Sequence, residues 1–562
     1  MGLTTRASSQ RDHNRPQAKP RVLIVGLDGG TFDIIRPLVA EGRLPNLARL
    51  MGEGASSVLR STCPPITPTA WTSFATGKNP GQHGIYDFLK LNPATYQFFP
   101  VPARQHEHKS LWRIISDHGG QVVVVDVPFT YPPEEVNGCI LTGYGTPTGD
   151  DVVFTYPPQL REELAAACGR CDMGFMPEGT KYNLQADFFQ SWDRILENRS
   201  CVAAYLMEEV DWDFYMIVYG VIDNMEHALW PFLEPQHPAY YEKEAAHYRE
   251  MLFRYYEKVD RELGRLLERC DDQTTVIIMS DHGFGSTPTP KYLTKLLLEE
   301  GLLRYKANPL SERLMRIALQ AYYRVPLLSR FVRRLSGRQK MGLKKMLTAA
   351  AIFPTPDRID WQRTKAFPGG YGLQVYINLK GKYAQGTVSP GAEYQALQDH
   401  IINRLLALRD PVSGQPIIKA VYRAQEIYSG AEVEGAPDLI VEYNNLYSPN
   451  GDARPDRLNN ALEGNHVMEG IFIAHGPQVL PTELPAREIV DIAPTVLYLL
   501  GLPVPKDMDG RVITEMIAPN YLQQHPVEYG EAATTTQVNV QEYTEEEAEL
   551  VREQLRALGY ID

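Results

Sequence analysis

Residues 276–285, VIIMSDHGFG, decide how the rest of the chain is read. The run Val276–Met279 has no polar side chain and the length of a strand covered on both faces. Gly283 and Gly285 let the chain turn sharply after it. In open α/β sheets, ligands sit at the carboxyl ends of the strands. Asp281 and His282 stand at such an end. They are a candidate metal-ligand pair, although read alone Asp281 is equally a turn cap.

Working outward, further strands are expected at 21–27, 121–127, 213–221, 438–443 and 470–476. Helical patterning covers 32–53, 187–210, 239–269, 391–408 and 489–500. Strands alternating with helices predict an α/β fold, a mainly parallel central sheet with helices on both faces. The chain has 562 residues, too many for one simple domain. The expected organisation is a disordered tail (1–20), a core (21–285), a basic helical insertion (286–355), the rest of the core (356–515) and a C-terminal tail with an amphipathic helix (516–562).

A formal charge of −13 argues against a nucleic-acid polymer as partner. Segment 291–346 departs from that balance, with 14 Lys and Arg against three acids. It reads as a solvated insertion, a lid over an anionic substrate, or a peripheral contact with anionic membrane. Six cysteines in this length are not expected to form a disulfide framework, and the Cys168/Cys171 pair lacks a second pair at zinc-ribbon spacing. The N-terminus lacks an apolar signal-peptide region, Arg6 stands where a myristoylation signal has Ser or Thr, and no run of 18 apolar residues exists. The expected location is the cytoplasm. In the last helix a capping box, Thr544 with Glu547, precedes a stripe of Ala548, Val551, Leu555 and Leu558. That stripe buries against the chain's own core or a second copy in a homo-oligomer.

Three Asp and three His mostly follow strand ends: Asp28, Asp223, His227, Asp281, His282 and His466. Asp223 and His227 are spaced to share one face of a helix. Together the six fit two N/O metal sites, of the kind that suits zinc or manganese. Residues 63–88 are rich in hydroxyls, prolines and glycines. A hydroxyl nucleophile needs activation, which a metal can supply. Thr62, Thr67, Thr69, Thr72, Ser73 and Thr76 are all candidates, and most must be structural.

These motifs, in this order, resemble the alkaline phosphatase superfamily, and within it the type I phosphodiesterase and nucleotide pyrophosphatase family. The match rests on LIVGLDGG (23–30), the Thr67–Ile85 stretch with TG and HGI, VIDNMEH (221–227), SDHG (280–283), GNHVMEG (464–470) and DIAPTVLYLLGLPVPKDMDG (491–510). The resemblance implies two divalent ions, commonly Zn2+, with Mn2+ as the alternative. Asp223, His227 and His466 would hold one. Asp28, Asp281 and His282 would hold the other, with Thr67 as its further ligand and as nucleophile. Thr67 is chosen over Thr69 by counting ten residues back from Gly77. His83 is read as structural.

The implied reaction is hydrolysis of a phosphodiester or pyrophosphate through a phospho-threonine, on a small phosphorylated substrate. One position departs: the family's phosphate-binding asparagine is here Phe88. Asn224, Lys78 and Lys90 are the candidate substitutes. Phosphonate or monoester hydrolysis and transfer of a phospho-headgroup are the alternatives, and a metal-bound scaffold is the non-enzymatic one. The sulfatase motif is absent after Cys63, and a serine-dependent phosphoglycerate mutase is disfavoured.

Overall fold

The computed structural model describes residues 19–102, 108–149, 151–171, 184, 186–234, 242–288, 291–306, 356–369, 372–410, 414–445, 462–533 and 543–558. Residues 1–18 of the expected N-terminal tail, and residues 307–355 of the expected insertion, lie outside these.

The strands are β1 (Arg21–Leu27), β2 (Ala55–Arg60), β3 (Leu89–Leu91), β4 (Phe98–Pro100), β5 (Val122–Val127), β6 (Gly138–Thr142), β7 (Thr155–Tyr156), β8 (Phe214–Tyr219), β9 (Thr274–Met279), β10 (Gly283–Pro288), β11 (Ala366–Pro368), β12 (Gln374–Ile377), β13 (Ile418–Arg423), β14 (Leu439–Tyr443), β15 (Leu462–Val467) and β16 (Glu469–His475). The central sheet runs β2-β16-β9-β1-β8-β5-β6-β7, extended at β2 by short strands. Its middle, β9-β1-β8-β5-β6, is parallel, while β16 is antiparallel to both neighbours.

Successive residues of β1 enter different cores. Leu23 and Val25 pack with helices on one face, Val22 and Ile24 with helices on the other. That is why VLIV carries no polar residue: a strand covered on both faces has no solvent side.

The expected helix at 32–53 is two helices, α1 (Phe32–Ala40) and α2 (Pro45–Glu53), the second with proline at its first turn. The remaining helices that matter here are α3 (Thr67–Thr76), α4 (Pro80–His83), α5 (Leu111–Asp117), α6 (Leu160–Cys168), α7 (Ala186–Glu209), α8 (Val221–Leu229), α9 (Glu242–Leu267) and α10 (Lys291–Glu299).

Three expectations are corrected. The 438–443 strand is not in the central sheet. It is β14, inside a separate antiparallel sheet ordered β11-β12-β14-β13. An apolar run reveals burial, not which sheet buries it. Second, the expected insertion begins inside the core: β10 runs to Pro288 and pairs with β15, and α10 buries Leu293, Leu296 and Leu297. Third, Cys168 is disulfide-bonded to Cys201 across 33 residues, because α6 packs on α7, while Cys171 stays a free thiol. The C-terminal helix (Glu545–Leu558) keeps its capping box, and of the two expected outcomes Val551 and Leu555 take burial in the chain's own core. Gln554 donates to the Thr146 carbonyl at 3.1 Å and Tyr543 to that of Gly145 at 2.7 Å, so this face is taken within the chain.

Candidate active site

Three parallel strands and one antiparallel strand deliver the site. Asp28 follows β1, Asp223 lies in the first turn of α8 after β8, and Asp281 and His282 follow β9. His466 comes from β15, laid opposite Phe284 of β10. Gly29 lets the first turn pass: its φ is +74°, and a Cβ there would meet Glu226 Oε2 at 2.9 Å and the Asp223 Cα at 3.2 Å.

Two groups form. Within each of Asp223–His227–His466 and Asp28–Asp281–His282, one ligand atom per residue lies within 4.8 Å of the others. In the first, Asp223 Oδ1 is 3.4 Å from His227 Nε2 and 3.2 Å from His466 Nε2. In the second, His282 Nε2 is 3.3 Å from Asp281 Oδ2 and 3.7 Å from Asp28 Oδ1. Each histidine places Nδ1 against a backbone carbonyl: His227 on Gly464 at 3.2 Å, His282 on Gly283 at 3.1 Å and His466 on Pro65 at 3.0 Å. Nδ1–H donates there, which leaves the Nε2 lone pair facing the site, as a metal ligand requires.

The carboxylates call for a cation. Asp28 Oδ1 and Asp281 Oδ2 are buried without a hydrogen-bond partner. Burial, then the neighbouring Asp223, pushes Asp28 well above the usual carboxylate range, and burial, then Asp28, does the same to Asp281. Burial works to raise Asp223 too, but His227 and His466 outweigh it and hold it below its usual value. Burial and then His466 keep His282 neutral. A site of three imidazoles and three crowded carboxyls fits divalent metal ions.

Thr67 opens α3, and its Oγ1 lies 3.4 Å from His282 Nε2. Three of the other hydroxyls turn elsewhere: Thr62 donates to the Pro64 carbonyl at 2.9 Å, Thr76 to the Thr72 carbonyl at 2.8 Å, and Ser73 pairs with His83 Nε2 at 2.8 Å. His83 is structural, as expected. Its Nδ1 accepts from the Ile85 amide at 3.2 Å. Helix α3 ends at Gly77 with φ +65°, where Lys78 begins the return.

The three candidate phosphate contacts separate. Asn224 lines the cavity beside Asp28 and Thr67, with its Nδ2 donating to the Gly220 carbonyl at 2.8 Å. Lys78 is a correction: it is 1% exposed and ion-paired to Asp507 at 2.5 Å, bracing α3 against the 491–510 segment. Lys90 is also corrected, because it stands exposed on β3 and is not among the residues lining the cavity. Phe88, 1% exposed, packs on Phe129 and Tyr144 with ring centroids 5.9 and 6.1 Å apart.

Sequence reasoning missed Asp126, Trp192 and Arg199, which line the same cavity. A signal existed: Trp192, Leu196, Arg199 and Ala203 share one helical stripe, so Arg199 is a charge on a buried face.

A family model, type I phosphodiesterase / nucleotide pyrophosphatase, matches residues 22–470. The chain belongs to that family. Its members are phosphoric ester hydrolases, and the ligand groups above meet the family's dependence on metal. No curated protein matches. Among solved structures, phosphonoacetate hydrolase from Sinorhizobium meliloti in complex with phosphonoformate aligns at a TM-score of 0.50 and 15% identity, covering 89% of this chain and 98% of that one. Murine ectonucleotide pyrophosphatase / phosphodiesterase 5, as an inactive variant with AMP, aligns at 0.46 and 13%, covering 89% and 100%. At these identities the first likeness speaks for the alkaline-phosphatase-like fold alone.

Proposed function

We propose that this type I phosphodiesterase-family chain hydrolyses a small phosphodiester or pyrophosphate through a covalent phospho-threonine on Thr67. The observation that carries the reading is the placement of Thr67 Oγ1 against His282, at the first turn of a helix and beside both ligand groups. Two divalent ions, Zn2+ or alternatively Mn2+, held by Asp28, Asp281, His282 and Thr67 and by Asp223, His227 and His466, would acidify the attacking hydroxyl and neutralise the leaving oxygen. Thr67 Oγ1 attacks phosphorus, the ester oxygen opposite leaves with its electron pair, and water then cleaves the phospho-threonine. A phosphoryl group on Thr67 would lie at the N-terminus of α3, which favours negative charge. Trp71 Nε1 donates to Asp28 Oδ2 at 3.1 Å and the Gly29 amide to Asp281 Oδ1 at 3.3 Å, which aim those carboxylates.

One observation favours a second reading, phosphonate or monoester hydrolysis: Phe88 is buried and apolar where the resemblance expects a phosphate-binding asparagine.

The test is turnover of bis-p-nitrophenyl phosphate beside p-nitrophenyl phosphate, with metal content by mass spectrometry, for wild type and Thr67→Ala. Two metals per chain and a faster diester rate, lost in the alanine variant, are expected. A faster monoester rate would move the assignment to the second reading. Two metals with no turnover of either ester would overturn both.

A further inference from the structure

We propose that the cavity running from the metal ligands to Arg199 is a subsite for a neutral, hydroxylated arm of the substrate, of the kind a glycerol ester presents. The proposal rests on the hydrolase reading and names its substrate class.

The cavity, about 70 Å3, begins at Asp28, Thr67 and Asp223 and continues to Asp126, Trp192 and Arg199. Any group bonded to a phosphorus on Thr67 has this space open to it. Two features show a wall built for hydrogen bonding. Trp192 is 6% exposed, and its Nε1–H is buried with no acceptor. A buried indole N–H normally finds a partner, and in a cavity wall that partner is a ligand oxygen. Two turns along the same face of α7, Arg199, 2% exposed, donates its Nε to Asp126 Oδ2 at 2.9 Å. Asp126 sits in the left-handed region at φ +57°, where the register of β5 on β6 shifts. A non-glycine residue held there is strained, and such strain gathers at ligand sites.

Charge selects the class of ligand. Arg199 and Asp126 cancel. The three ligand carboxylates leave one positive charge from two divalent ions, and a diester phosphate consumes it. A second anion or a cation on the arm would enter this low-dielectric site uncompensated. A hydroxyl both donates and accepts, so it answers Trp192 and the ion pair together. Ile195, Leu196 and Val218 supply apolar lining for the carbons of the arm.

The test uses four p-nitrophenyl diesters on the metal-loaded enzyme, with methyl, 2,3-dihydroxypropyl, carboxymethyl and choline arms. The expected kcat/KM for the dihydroxypropyl ester is about tenfold or more above the other three, the discrimination typical of a site built to pair with hydroxyls. Trp192→Phe, which keeps the ring and removes the N–H, should bring the dihydroxypropyl-to-methyl ratio close to one, whatever its absolute rate. A binding measurement stands apart from turnover. Metal-loaded Thr67→Ala, titrated by calorimetry, should bind methyl 2,3-dihydroxypropyl phosphate about tenfold more tightly than dimethyl phosphate. Equal rates across the four arms, or a preference for the charged ones, would overturn the subsite and leave the hydrolase standing. No turnover of any arm would overturn the hydrolase reading, and equal binding of the two diesters by Thr67→Ala would then overturn the subsite separately.

Discussion

At the scale of single residues, the site is ordered by what each side chain does with its second polar atom. The histidines spend Nδ1 on backbone carbonyls, so Nε2 faces the ligand groups. Asp281 spends Oδ1 on the Gly29 amide and keeps Oδ2 for the ion. Asp281→Asn replaces a charged ligand by a neutral one. It should lower bound metal from two to about one per chain, read by mass spectrometry, before any activity is measured. Behind the site, Glu234 accepts from Trp230 Nε1 at 3.1 Å and from the Ser286 hydroxyl, and Trp230 packs on Phe284, whose ring meets His227. Burial raises the Glu234 carboxyl from 4.5 to about 7. The folded state therefore holds a proton that the unfolded chain has released between those pH values. The stability it contributes is complete below pH 4.5 and lost as pH rises through about 7. Thermal unfolding of wild type against Glu234→Gln should show the wild type losing about 3 kcal/mol relative to the variant across that window. A pH-independent difference would refute it.

At the scale of elements, two braces hold the site. Lys78 with Asp507, and Asn79 with Asp509 at 2.7 Å, fasten the turn after α3 to the 491–510 segment, which explains why that distant motif accompanies the nucleophile. Lys78→Met leaves Asp507 without its cation. It should cost about 1–3 kcal/mol in denaturant unfolding, and with α3 loosened it should lower kcat more than it raises KM. The second brace is the disulfide that ties α7, bearing Trp192 and Arg199, to α6. Closing a loop of 33 residues contributes about 3–4 kcal/mol in the chain-entropy account. Dithiothreitol should lower the melting temperature of the wild type and leave Cys168→Ser/Cys201→Ser unmoved.

At the scale of the whole molecule, the two candidate ligand groups draw on segments spread between Asp28 and His466, carried on strands and helices that exist only in the folded chain. Metal binding is thus linked to global stability. The melting temperature should climb with free zinc or manganese and fall with chelator, by about 4 kcal/mol of linkage at a thousandfold excess over Kd. The fold also bears on location. No described helix is long and apolar enough to cross a membrane. The disulfide is a feature that a reducing cytoplasm disfavours. Alkylation of the protein unfolded without reductant should count four thiols, Cys63, Cys139, Cys171 and Cys270; six would return it to the compartment expected from the sequence.

The sequence by itself determined the sheet's centre and the candidate metal ligands, and the reason is local. A strand buried on both faces must be uniformly apolar, and the polar residue that ends it at the carboxyl edge stands out, as Asp28 and Asp281 do. Asp223 and His227 were legible because four residues make one helical turn. The tertiary structure alone decided what depends on partners far away in the chain. Lys78 and Lys90 carry the charge a phosphate needs, but only packing reveals that Asp507 holds one and that the other is on an exposed strand. DLIVEY announces burial without naming its sheet. Cys168 chose Cys201 over nearby Cys171 because helix packing, not sequence distance, brings sulfurs together. Arg199 and Trp192 reach the cavity only once α7 is laid across β5 and β8, since helical periodicity gives a side chain its face but not its neighbour.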